Sequence, residues 1–98
     1  PISDTILTRS YGYPNPIKGQ MGTLRVESKG AQKIKIMIYD LAGYFIRSFN
    51  SVPNNNGIQI NEWVWDVSNI ESGIYFAHVE VSDSESIETD IIKVAVIH

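Results

Sequence analysis

Polar and apolar residues take turns along most of this chain, and that period of two limits which folds are open to it. Between residues 33 and 40, Ile34, Ile36 and Ile38 fall on one side. Lys33, Lys35, Met37 and Tyr39 fall on the other. Successive side chains of a β-strand point to opposite faces, so this pattern describes a strand with one face buried. A helix needs apolar residues three and four positions apart, and no stretch shows that spacing. The same alternation predicts further strands over residues 5–11, 23–28, 44–51, 58–66, 74–82 and 87–97.

Turn residues separate these segments. Pro14 and Pro16 interrupt the first strand, because proline cannot donate to a ladder. Asp40-Leu41-Ala42-Gly43 reads as a short hairpin in which Gly43 supplies a positive φ. Residues 53–57 read as a polar loop, since asparagines bond their own backbone and tolerate left-handed geometry. Residues 67–73 are a connection with one helical turn, and Gly73 is expected to have positive φ or a close backbone contact. Seven short, evenly spaced strands suggest a sandwich or a barrel. The odd count and the early proline break favour two antiparallel sheets. Ile34, Ile36 and Ile38 should then face Leu24, Val26, Ile92, Val94 and Val96 across one core.

A chain of 98 residues, 43% of them hydrophobic, is read as a single domain over residues 1–98 with no deep cleft. It opens on Pro1, not Met, and so reads as a C-terminal piece of a longer protein. The net charge of -3 and the scattered cations argue against nucleic acid, which calls for a basic stripe. Without cysteine there is no disulfide scaffold or thiolate zinc site. No apolar run nears the ~18 residues of a membrane helix, so no membrane insertion is expected.

Reaction chemistry is sparse. A metal site needs three or four converging ligands, while His78 has only Glu80 on its strand face and His98 is terminal and expected to fray. Asp83, Glu85, Glu88 and Asp90 are acidic enough for calcium but lack the glycine such a loop needs, and read as a solvated turn. Trp63 and Trp65 share a face, which suits either an aromatic platform for sugars or core packing; core is expected. Ser72 precedes a glycine but sits in no nucleophile elbow. The chain is therefore expected to have no catalytic residue, metal or cofactor, and not to be an enzyme.

Five pieces stand in a telling order: Tyr13-Pro14-Asn15-Pro16, Ile38-Tyr39-Asp40 with Gly43, Trp63-x-Trp65-Asp66, Ser72-Gly73-Ile74-Tyr75-Phe76, and Lys93-Val94 in the closing strand. From Tyr13 to the end, this order resembles the C-terminal sorting domain of type IX secretion. It is equally similar to the Ig-like module of flagellar hook-capping proteins. The resemblance implies an Ig-like sandwich of about seven strands on a secreted or cell-surface protein exported across the outer membrane. Its implied partners are the sorting machinery at that membrane and the upstream domains of the same parent chain. It also makes Pro14, Asn15, Pro16, Asp40, Gly43, Gly73 and Tyr75 the structural motif residues. Lys93, with Val94, Ala95, Val96 and Ile97, becomes the expected recognition segment, read by β-addition at a sheet edge. The alternative is a passive Ig-like spacer or accessory domain of an extracellular enzyme, with some glycan contact.

Overall fold

The computed structural model describes residues 6–52 and 58–98, and every described element is a strand. They are β1 (Leu7–Tyr13), β2 (Met21–Lys29), β3 (Lys33–Asp40), β4 (Phe45–Ser51), β5 (Ile58–Asp66), β6 (Gly73–Ser82) and β7 (Ile87–Val96). Two antiparallel sheets, ordered β1-β2-β5 and β4-β3-β6-β7, make an all-β sandwich. Because β4 stays beside β3, the order differs from the constant-type immunoglobulin domain, whose fourth strand joins the first sheet.

Alternation explains the core. Leu24 and Val26 of β2, Ile34, Ile36 and Ile38 of β3, and Ile92, Val94 and Val96 of β7 are buried, as their spacing predicts. Tyr75, Ala77, Val79 and Val81 of β6 complete the inner face of the larger sheet. Trp65 is buried and meets Tyr75 edge to face across the sandwich, centroids 5.6 Å apart. Trp63 is half-buried nearer the open flank, tilted against Phe49 of β4. The tryptophan strand thus turns its aromatic side inward and leaves Val64 exposed.

Several expectations need correction. The first strand begins later and runs to Tyr13, so the proline segment follows it instead of cutting it. The stretch over 67–73 forms turns and no helical turn, with Ile70 N–H donating to the Val67 carbonyl at 3.1 Å. Gly43 has φ +92°, but Gly73 begins β6 without a positive φ, and a Cβ there would meet only the Tyr75 ring at 4.0 Å. Gly30, which the turn reading passed over, is the other glycine with positive φ among the described residues. The polar loop over 53–57 lies outside the described residues.

The sandwich is long, 46 Å against 22 and 20 Å. Its strands run pole to pole. Leu7 sits opposite Ser28 at one pole, close to Glu88. Tyr13, Gly73 and Val96 lie at the other. Ile6 lies at the first pole, bonded to Glu88, while β7 carries Lys93 toward the second.

Candidate functional site

β7 is the edge of the four-stranded sheet, and its two faces do different work. Val94 and Val96 are 1% exposed and belong to the core, so they cannot offer side chains to a partner. Lys93 and Ile97 are exposed, and Ala95 is half-buried. Lys93 forms no ion pair among the described residues. Of the five expected recognition residues, these three face outward.

The backbone edge beside them is already taken. Asn15 Nδ2 donates to the Lys93 carbonyl at 2.8 Å, and Asn15 Oδ1 accepts from Ala95 N–H at 3.1 Å. Two residues further, Ile17 pairs with β7 in a parallel bridge. Its N–H donates to the Ala95 carbonyl at 2.7 Å, and its carbonyl accepts from Ile97 N–H at 2.8 Å. The Asn15 amide carries the same donor and acceptor as a peptide group, so it prolongs the sheet where a strand would lie. Further down, Asp90 Oδ1 covers Ile91 N–H at 2.9 Å. Along residues 93–97 the Lys93 and Ala95 carbonyls and the Ala95 and Ile97 N–H groups are therefore already paired, which leaves little of this edge open to β-addition.

Pro14 and Pro16 flank the asparagine in this clasp and Ile17 anchors it. Ile17 is 2% exposed and lies against Gly22 of β2, where a Cβ would fall 2.2 Å from Ile17 Cδ1. Reading by sequence missed Ile17 and Gly22. The available signal was a glycine at an inward position of a strand, which marks a close approach.

The remaining motif residues gather at the same pole. Asp40 faces Tyr75 in the β3–β6 register, and its Oδ1 accepts from Tyr44 N–H at 2.8 Å while its carbonyl accepts from Gly43 N–H at 3.0 Å. The Tyr75 hydroxyl donates to the Glu71 carbonyl, the corner arrangement that fixes a loop to the start of a strand. Burial, with Glu71 and Asp40 nearby, raises the Tyr75 pKa above its ordinary value. His98 was expected to fray, yet its N–H donates to Ser72 Oγ at 2.8 Å and its Nε2 lies 2.9 Å from the Val67 carbonyl.

The acidic stretch serves the fold at the other pole. Asp83 Oδ1 accepts from the N–H groups of Glu85 and Ser86, both at 2.8 Å, which lowers the Asp83 pKa. Glu88 accepts from Ile6 and Leu7 N–H at 3.1 and 2.9 Å, and Ser10 Oγ donates to Asp90 at 2.7 Å. These carboxylates stitch β1 to β7, closing the flank where the two sheets meet. Among the described residues no three His, Asp or Glu groups converge as metal ligands. His78 is exposed and lies edge-on to Tyr39 at 5.1 Å.

Residues 12–93 match the family described as the secretion system C-terminal sorting domain. The chain belongs to that family. A sorting domain is a non-catalytic module that directs its protein across the outer membrane, to the cell surface or the medium. No curated protein sequence matches this one. Among solved structures, the C-terminal domain of wzt is similar with TM-score 0.61 and 14% identity, over 88% of this chain and 65% of that one. A β-glucuronidase of Parabacteroides merdae is similar with TM-score 0.57 and 13% identity, over 97% of this chain and 14% of that one. A CARDB domain from Pyrococcus furiosus, solved in complex with di-metal ions, has TM-score 0.52 and 11% identity, over 99% and 94%. The sorting domain spans less than two thirds of the first two. At these identities the likeness concerns the fold alone.

Proposed function

We propose that the sorting machinery at the outer membrane reads this domain at the pole where β7 ends, through the side chains of Lys93, Ala95 and Ile97. Val94 and Val96 hold these three in place from the core, and Asn15 and Ile17 fix the edge. The supporting observation is an unpaired lysine and an exposed isoleucine at a strand end whose backbone edge is mostly paired by Asn15 and Ile17. An edge largely paired in this way favours recognition of side chains over strand addition. The pole also lies at the far end of the sandwich from Ile6.

Lys93→Glu and Ile97→Ser, placed in the full-length parent in its own host, test this. Both side chains face solvent, so the melting temperature should hold while the parent accumulates in the periplasm. Normal export of both variants would overturn the reading and leave the passive spacer in its place.

A further inference from the structure

The outer face of the four-stranded sheet carries a row that the sequence scatters over more than fifty residues. Phe45 of β4 stands opposite Tyr39 of β3, Tyr39 opposite Phe76 of β6, and Phe76 opposite Lys93 of β7. All four strands therefore contribute one residue to a single line, three aromatic rings ending in a cation. Phe45 is 53% exposed and meets the Tyr39 ring edge to face at 5.9 Å. Two residues along on the same face, His78 stands opposite Ile91, which is 56% exposed. Shallow depressions of about 370 Å³ lie on either side of the Tyr39–His78 pair. Neighbouring strands lie ~4.8 Å apart, so the row spans about 15 Å.

We infer that this face is an interaction surface for an apolar, acidic segment of the secretion machinery, continuous with the recognition pole. This rests on the proposed reading of Lys93 and extends it across the sheet. Aromatic and aliphatic side chains around one charge are what concentrates binding energy at protein interfaces. Elsewhere on this face Lys35 and Glu80 stand opposite each other in register and offset each other's charge. Lys93 stands opposite Phe76 and has no such counterpart in register, so a carboxylate on the partner would complement it. With Lys93 at the end of the row, that carboxylate would lie beside an apolar stretch covering Phe76, Tyr39 and Phe45.

The test uses the full-length parent in its own host, with export measured as the fraction outside the cell. Phe45→Ser and Ile91→Ser should each lower export about five- to tenfold without shifting the melting temperature. Val64→Ser, equally exposed at 58% but on the other sheet, should export normally. Lys93→Arg should keep export and Lys93→Met should lose it. If Lys93→Glu blocks export while Phe45→Ser and Ile91→Ser do not, recognition stops at the strand end and the inference falls alone. If Lys93→Glu also exports normally, the underlying reading fails with it. Normal export with lost retention at the cell surface would assign the face to a surface polysaccharide and overturn the proposal.

Discussion

Ile17 occupies the space that a side chain on Gly22 would need. A Cβ at Gly22 would lie 2.2 Å from Ile17 Cδ1 and 2.9 Å from Cγ1. Ile17 cannot swing away freely, because it is buried and its backbone is bridged to β7. Gly22→Ala should therefore destabilise the domain by about 1–3 kcal/mol, the usual cost of overpacking. Adding Ile17→Val should recover part of the loss, and urea unfolding of the single and double variants measures both. If Gly22→Ala alone unfolds like the parent, the fit between these residues is not tight.

Asn15→Ala removes both side-chain bonds to β7 and leaves Ile17 to hold the edge. The freed groups on Lys93 and Ala95 face solvent, so water replaces the asparagine and the cost should be about 1 kcal/mol. The larger effect should be local. Amide exchange at Ala95 and Ile97 should quicken while that of the β3 core amides stays slow. Equal acceleration across the whole domain would mean that the clasp governs global stability instead.

Much of this architecture is legible because alternation is a local signal. The range of β3 and its buried isoleucines follow from eight consecutive residues, and the outward Lys93 follows from its place between Ile92 and Val94. Asn15 is different. Its partners lie about 80 positions away, and nothing near it reveals that its amide will complete another strand's ladder. Without that contact, β7 reads as an open edge. The aromatic row is hidden for the same reason, since Phe45, Tyr39, Phe76 and Lys93 align only once the strand order is known. Gly73 misleads because a glycine ahead of a strand has two readings. Here it simply begins the strand, exposed, with room for a side chain.

Stability should fall on acidification. The Tyr13 hydroxyl, with Arg25, holds Glu62 below the ordinary carboxylate value of 4.5. Ser68 holds Asp66 below 3.8, and Glu85 and Ser86 hold Asp83 below the same value. With folded pKa values depressed, the unfolded chain binds protons more readily. The stabilisation is complete above the unfolded values and is lost as pH drops through the folded ones. Urea midpoints should thus be level near neutral pH and decline below about pH 4.5. Glu62→Gln should soften that decline, and added salt should shrink the part due to Arg25 because the pair is open to solvent. A decline unchanged in Glu62→Gln would assign it to other carboxylates.

Gly43 and Gly73 should respond in opposite ways to the same substitution. Gly43 closes the β3–β4 hairpin at φ +92°, donating its N–H to the Asp40 carbonyl. Nothing lies within 4 Å of a Cβ built there, so the obstacle is the backbone and not space. An L-residue in that region costs roughly 1–2 kcal/mol, and a β-branched one more. Gly43→Ala should lower stability by about that amount and Gly43→Val by more. Gly73 has no positive φ, and its Cβ would touch only the edge of the Tyr75 ring. Gly73→Ala should be neutral, or stabilising by up to about 1 kcal/mol through reduced freedom of the unfolded chain. Thermal melts of the three variants decide it. A larger loss at Gly73 than at Gly43 would mean that the loop before β6 depends on a freedom its backbone geometry does not show.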